Sequence, residues 1–324
     1  VRVALCETHP ALRSAFQAAL YQRGLREVEI CKDSTALLHI LTTQMIDLVI
    51  CATDVPGIDF FDLIQQVRHG LVGRNPFTVV VATAAEATLD DVRRFVNAGV
   101  DHVVRKPLSM GDLITCVNGL SVTRKQFTAT ESYIGPTRRI AIRSDQGDDE
   151  TIEVPNTLGA KLHGDARDLS LEPLIALGIE QLQELRAHNC CIALARSVAK
   201  VASHFHRRPT HRAIDGELAR LRSMSAAVER RYRGTANAPL AEVALSLSML
   251  ADLLGYLPAD SGRSLTITAN LLQKLGDVIR RVDHCSPTKA RTVHSIVQMV
   301  RGFAHDMAGV QSGARGPARL SLSL

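Results

Sequence analysis

Five short runs of β-branched and apolar residues, separated by stretches with helical periodicity, restrict the fold of this chain more than any other feature. The runs are Val3-Ala4-Leu5-Cys6, Glu29-Ile30-Cys31, Leu48-Val49-Ile50-Cys51, Val79-Val80-Val81-Ala82 and Val103-Val104. Most are too uniformly apolar to alternate a wet face with a dry one, so they read as strands covered on both sides. After the first run, Pro10 opens a helix in which Leu12, Ala15, Phe16, Ala19 and Leu20 share one face. Strand alternating with helix predicts an α/β doubly wound, five-stranded parallel sheet, with function at the carboxyl ends of the strands.

From Leu171 onward strand signals vanish and helical periodicity takes over. Helices are expected over 171–206, either continuous or broken near Asn189, and over 211–232, 239–256, 264–283 and 288–308, with proline or glycine in most of the gaps. Leu271, Leu272, Leu275, Val278, Ile279 and Val282 form a continuous apolar face on the fourth. Short connections between such helices predict an all-α bundle. Between 121 and 169 the apolar pattern fades and Thr, Ser, Gly, Asp and Pro rise, the composition of a linker. The expected organisation is therefore an α/β domain over 1–120, a linker over 121–169, a helical interaction domain over 170–311 and a disordered tail over 312–324.

Aromatic residues make up only 4% of the 324, with no Trp, so both cores must be built from Leu, Val, Ile and Ala. The seven cysteines, at 6, 31, 51, 116, 190, 191 and 285, lack C-x-x-C or zinc-ligand spacing. They read as small buried hydrophobes kept reduced. The longest apolar stretch, Leu240 to Leu257, is interrupted by Glu242 and Asp252, so no spanning helix is expected. The first strand starts within the opening residues and leaves no signal segment in this sequence, which begins at Val1 and is compatible with residues preceding it. Cytoplasmic residence is the expectation.

The net charge of +5 is unevenly placed: Lys+Arg against Asp+Glu is 13 to 13 over 1–125, 3 to 5 over 126–150 and 22 to 15 over 151–324. Eight arginines lie between residues 207 and 233, Arg207 and Arg233 among them, offset by Asp215, Glu217 and Glu229. Such a patch raises nucleic-acid binding as an alternative. The interrupting acids, the scarcity of aromatics and the lack of a helix-turn-helix pattern argue against it.

The strand ends carry the informative chemistry. The first strand is followed by Glu7-Thr8, the third ends at Ala52 before Thr53-Asp54-Val55-Pro56-Gly57, the fourth is followed by Thr83-Ala84 and the fifth by Lys106-Pro107. This arrangement, with Asn97-Ala98-Gly99-Val100-Asp101 ahead of the fifth strand, resembles the receiver domain of two-component response regulators throughout 1–120. The resemblance implies an acidic pair at 7 and 8 that holds Mg²⁺, a phosphoryl-accepting Asp at 52, a switch hydroxyl at Thr83 and a lysine at 106 followed by a proline in a cis peptide. The chain departs from it at the acceptor, Ala52, and at Thr8. A methyl group offers no nucleophilic oxygen and cannot ligate Mg²⁺. Asp54 reads as a solvated loop residue rather than a relocated acceptor. Lys106 is expected to pair with Glu7, and Thr83 to cap the next helix with Glu86 as Thr-x-x-Glu. No cofactor, Mg²⁺ included, is expected.

Two further segments resemble signalling motifs. Tyr133-Ile134-Gly135-Pro136-Thr137-Arg138-Arg139 resembles a Tyr-x-Gly-Pro-Asp-Arg-Arg segment that follows the receiver in alphaproteobacterial response regulators, with Thr137 in the Asp position. A bare turn with exposed arginines and a strap docked on the receiver or a partner both fit it. Phe303-Ala304-His305-Asp306-Met307-Ala308-Gly309 resembles the Ala-His-x-Leu-Lys-Gly signature of histidine phosphotransfer domains, with Met307 for Leu and Ala308 for Lys. His305 is the phosphohistidine that this second resemblance implies, and a polar residue on a helix flank otherwise.

The expected function is that of a non-enzymatic, degenerate receiver joined to a helical interaction domain. The resemblance implies binding to a sensor kinase, a phosphotransfer protein or another receiver through the face made by residues 86–118. Phosphotransfer through His305 is the enzyme-class alternative.

Overall fold

The computed structural model describes residues 1–85, 88–137, 150–164, 170–206, 211–235, 237–256 and 262–281, together with Gln298 and Gly302. The chain divides into two compact units, Val1–Arg186 and Ala187–Leu324.

In the first unit, β1 (Arg2–Cys6), β2 (Glu27–Cys31), β3 (Leu48–Ala52), β4 (Val79–Ala84) and β5 (His102–Arg105) form one parallel sheet in the order β2-β1-β3-β4-β5. Helices α1 (Pro10–Gln22), α2 (Ser34–Thr43), α3 (Phe60–Arg68), α4 (Leu89–Ala98) and α5 (Met110–Val122) make the crossovers. This is the expected doubly wound fold, and its strand order reverses at β1/β3, where such sheets open a crevice. Period-two alternation divides the strand side chains between two apolar layers. Ala4, Val49 and Val80 pack with Leu37, Leu63, Ile64 and Phe95 from α2, α3 and α4. Val3, Leu5, Ile50 and Val81 pack with Phe16, Leu20, Leu113 and Val117 from α1 and α5.

Side-chain caps start the helices. Asp33 accepts from the Ala36 N–H, and Thr88 with Asp91 and Ser109 with Asp112 form reciprocal capping boxes. The cap of α4 is therefore Thr88, not Thr83 as the Thr-x-x-Glu spacing predicts. Thr83 is still inside β4, paired with Val104 of β5, and a residue in the ladder cannot adopt the cap position of a helix that starts at Leu89.

The described parts of the segment expected to be a linker, 121–137 and 150–164, are folded into the first unit. A two-stranded antiparallel ribbon, β6 (Phe127–Ala129) and β7 (Ile134–Pro136), is bridged to Ile152. It is followed by α6 (Thr157–His163), whose Leu158 enters the α1/α5 layer. Phe127, Ala129 and Ile134 join Phe77 and the start of α7 (Glu172–His206), through Ile175, Leu182 and Leu185, in a separate apolar cluster. The boundary expected at residue 120 thus lies inside a compact unit that runs to Arg186.

Charge fixes the ribbon as firmly as apolar packing. Arg68, with no exposed side-chain surface, donates from Nε to Gly99 O at 2.9 Å, from one terminal nitrogen to Pro76 O and Thr78 O, both at 2.7 Å, and from the other to Asp101 at 2.7 Å. Arg124 reaches the other oxygen of Asp101 at 2.8 Å, and the Phe127 ring lies 5.3 Å from the Arg68 guanidinium and 4.8 Å from that of Arg124. Two glycines allow the approach: Gly99 ends α4 at φ 83°, and a Cβ on Gly135 would lie 2.8 Å from the Gly99 Cα. Tyr133 donates its hydroxyl to Pro136 O at 2.7 Å, which closes the ribbon turn. Arg186, itself buried, holds that turn through Thr130 O and Glu131 O at 2.9 and 2.6 Å.

The second unit is helical, with the remainder of α7 joined by α8 (His211–Tyr232), α9 (Ala238–Tyr256) and α10 (Gly262–Arg281). Leu194, Leu221, Leu247, Leu250, Leu272 and Leu275 lie in its continuous core. Gly276 of α10 lets Val198 of α7 close in, since a Cβ there would sit 2.8 Å from the valine methyl. Of the continuous and broken forms expected for 171–206 the continuous one occurs, with Asn189 buried within an unbroken helix. By length and composition α9 could cross a membrane despite its two acids, and half of that stretch is buried in the unit. Arg222 pairs with Asp252 at 2.7 Å and donates to Ala251 O, while Arg233 pairs with Glu229. Part of the basic patch is therefore spent on helix packing. Arg207, the helix expected over 288–308 including His305, and the tail lie outside the described residues, apart from Gln298 and Gly302, which are helical.

Candidate functional site

The sheet topology brings the residues at the strand ends together. Ala52 and Thr83 are partners in the β3/β4 register, the last residue of one strand beside the fifth residue of the next. Glu7 immediately follows β1 and is 1% exposed, whereas Thr8 is exposed. Lys106 immediately follows β5, anchored by its N–H to Ala84 O at 2.7 Å, and the Lys106-Pro107 peptide is cis.

Lys106 is directed at Glu7. Its Nζ lies 2.8 Å from Glu7 Oε2, and Glu7 Oε1 accepts the His9 N–H at 3.1 Å, so both carboxylate oxygens are engaged. Asp54 Oδ1 lies 4.0 Å from the same ammonium on a side chain 66% exposed, at the edge of ion-pair range and in water. Solvent screening makes such a contact weak. Thr83 is fully buried and its hydroxyl finds no hydrogen-bond partner among the described residues. Ala52 is 1% exposed and contributes only a methyl group.

The crevice thus holds one buried carboxylate, one ammonium bound to it and one buried hydroxyl. It presents no nucleophilic oxygen at the end of β3. Mg²⁺ requires several hard oxygens in near-octahedral array. Glu7 is already engaged by Lys106, Thr8 is exposed and carries no carboxylate, and position 52 has no side-chain donor, so these side chains do not fit a Mg²⁺ site. Among the described residues, no group of three or more His, Cys, Asp or Glu side chains is placed to hold a metal ion.

Two features escaped sequence reasoning. The Arg68–Asp101–Arg124 cluster joins residues far apart in sequence, and only the Asp after the Gly99 turn signalled it. Arg94, on the exposed face of α4, pairs with Asp59 at 2.8 Å and lies 4.1 Å from the Phe61 ring centre, which ties α4 to the start of α3.

Residues 3–118 match the family described as the response regulator receiver domain. They form a receiver domain of two-component signalling. Similar curated proteins include the sensor histidine kinase AruS of Pseudomonas aeruginosa, 30% identical over 103 residues that cover 32% of this chain and 10% of AruS. The sensory/regulatory protein RpfC of Xanthomonas campestris is 25% identical over 41% of this chain and 18% of its own length. The transcriptional regulatory protein TctD of Salmonella typhimurium is 28% identical over 35% of this chain and 48% of its own length. The chain therefore spans less than half the length of each of these relatives. Among solved structures, a CheY-like receiver domain protein from Methanospirillum hungatei is 21% identical over 36% of this chain and 90% of its own, with a TM-score of 0.33. The receiver domain of sensor histidine kinase PA1611 from Pseudomonas aeruginosa is 22% identical over 36% of this chain and 92% of its own, with a TM-score of 0.32.

Proposed function

We propose that the first unit is a phosphorylation-independent receiver, a non-enzymatic module that binds a two-component partner without accepting a phosphoryl group. The observation that carries this reading is the 2.8 Å pairing of Lys106 with Glu7 beside a methyl group at position 52. In a receiver that switches, a phosphoryl group supplies the charge that draws the lysine and hydroxyl inward and biases a two-state face. Here the lysine is already neutralised and Thr83 has no anion to follow. Affinity is then set by a binding equilibrium, partner abundance or another ligand. The candidate partners are a sensor kinase, a phosphotransfer protein or another receiver, and the expected surface is that of α4, β5 and α5.

The full chain should be incubated with acetyl phosphate or beryllofluoride and Mg²⁺, and its affinity for a purified histidine kinase or phosphotransfer protein measured with and without the donor. The reading expects binding that the donor leaves unchanged and no acid-stable or aspartyl phosphate by mass spectrometry. A tenfold rise in affinity, equivalent to about 1.4 kcal/mol, or stoichiometric phosphate on Asp54 would overturn it.

A further inference from the structure

Cys6, Cys31 and Cys51 stand side by side across the sheet. They are the last residues of β1 and β2 and the next-to-last of β3, with Cys6 in register with Cys31 on one side and with Cys51 on the other. All are free thiols, fully buried in the layer that faces α2 and α3. Cys6 thus has a thiol beside it on each adjacent strand, and Cys51 donates to Ala52 O at 3.3 Å.

The register decides which pairs can bond. Adjacent strands are spaced about 4.8 Å apart, inside the Cα separation of about 4.4–6.8 Å that a disulfide spans. Cys31 and Cys51 are two strands apart, about 9.6 Å by the same spacing, and cannot be bridged. A row of three, unlike a triangle, does not surround a metal ion. We propose that Cys6 is the shared thiol of an oxidation site that forms one of two mutually exclusive disulfides, with Cys31 or with Cys51.

With a peroxide as oxidant the step balances. The Cys6 sulfur attacks the O–O bond and becomes a sulfenic acid with release of water. The neighbouring thiol then displaces the hydroxyl as a second water while its proton leaves with it, so the two sulfurs give up two electrons and the peroxide takes them. Because Cys6 stands in register with both neighbours, a sulfenic acid on Cys6 can be resolved by Cys31 or by Cys51, and neither outer thiol has a second cysteine beside it. The product is a neutral bond in an apolar layer, so no charge is buried. A route in exists because β2 is an edge strand with Glu27, Glu29 and Ile30 exposed, and local opening of an edge admits a small oxidant. Glu7 follows Cys6 and Ala52 follows Cys51 in sequence, so a Cys6–Cys51 bond would lock together the two strand ends that carry the crevice.

The test is peptide mapping of the full chain after hydrogen peroxide treatment, with the remaining thiols blocked in acid before digestion. Expected are Cys6–Cys31 and Cys6–Cys51 links and no Cys31–Cys51 link. Cys31→Ala should leave only the second link and Cys51→Ala only the first. Cys6→Ala should leave neither, and should it fail to fold by circular dichroism, the two outer variants decide. A Cys31–Cys51 link, or three thiols left free or carried to sulfinic acid at peroxide concentrations that oxidise the half-buried Cys116, would overturn the proposal.

Discussion

Lys106 Nζ meets Glu7 Oε2 at 2.8 Å across the carboxyl ends of β1 and β5, and the group between those strand ends, Ala52, takes no part in the contact. The ion pair lies at the strand ends where the resemblance to a receiver implies an acidic pair for Mg²⁺. With Glu7 1% exposed and Lys106 15% exposed on their side chains, the pair is poorly screened, and each charge depends on the other.

Removing one partner should therefore cost more than removing both. Lys106→Ala leaves a buried carboxylate unpaired and is expected to lower unfolding stability by about 3 kcal/mol. Lys106→Met combined with Glu7→Gln is expected to recover most of that loss. Urea unfolding of the full chain and the variants measures both. A single-variant loss below about 0.5 kcal/mol would place the pair with ordinary surface contacts.

Restoring the acceptor should not by itself restore phosphoryl transfer. Ala52→Asp adds a carboxylate next to Thr83, but Thr8 still provides none beside Glu7 for Mg²⁺. Incorporation from acetyl phosphate, followed by intact-mass measurement, is expected to be marginal in Ala52→Asp and clearly higher in the Thr8→Asp, Ala52→Asp double variant. Equal labelling of the two would show that Glu7 alone suffices as the acidic ligand.

The ribbon should be part of the folding unit rather than an appendage. Residues 1–186 are expected to unfold at higher urea than residues 1–120, because truncation at 120 removes Arg124 and Phe127 from the buried Arg68–Asp101 pair. In the full chain, Phe127→Ala should destabilise the first unit by about 3–5 kcal/mol, the usual loss for a buried aromatic. Equal stability of the two fragments would restore the boundary to residue 120.

Asp101 gives the first unit an acid limit. Burial alone would raise its carboxyl, but Arg124 and then Arg68 outweigh that effect and hold it below its ordinary value. A carboxyl lower in the folded than in the unfolded chain adds stability above the unfolded value of about 3.9 and loses it as pH falls through the folded value. Acid unfolding should therefore set in below about pH 4. Asp101→Asn should lower stability near neutral pH by about 3–5 kcal/mol, since two buried guanidinium groups lose their counter-charge, and should flatten the pH dependence in the acid range. Chemical unfolding across pH 2–7 measures both.

The sequence alone determined the doubly wound sheet, because its strands are contiguous β-branched runs and its helices carry their faces within a few turns. It also determined that the side chain at position 52 lacks an oxygen, since that is a matter of covalent identity, while the Lys106 to Glu7 contact was expected from the resemblance to a receiver. The tertiary structure decided what local pattern could not carry. The ribbon strands are three residues long, too short for a periodicity, and Phe127 and Ile134 are buried by Phe77 and α7 rather than by sequence neighbours. The cap of α4 fell to Thr88 because β4 runs through Thr83, a choice made by pairing with β5. The row of Cys6, Cys31 and Cys51 exists only through strand register, which aligns residues that lie 25 and 45 positions apart in the chain. Long-range order of this kind depends on which faces meet, and single-residue propensities do not encode it.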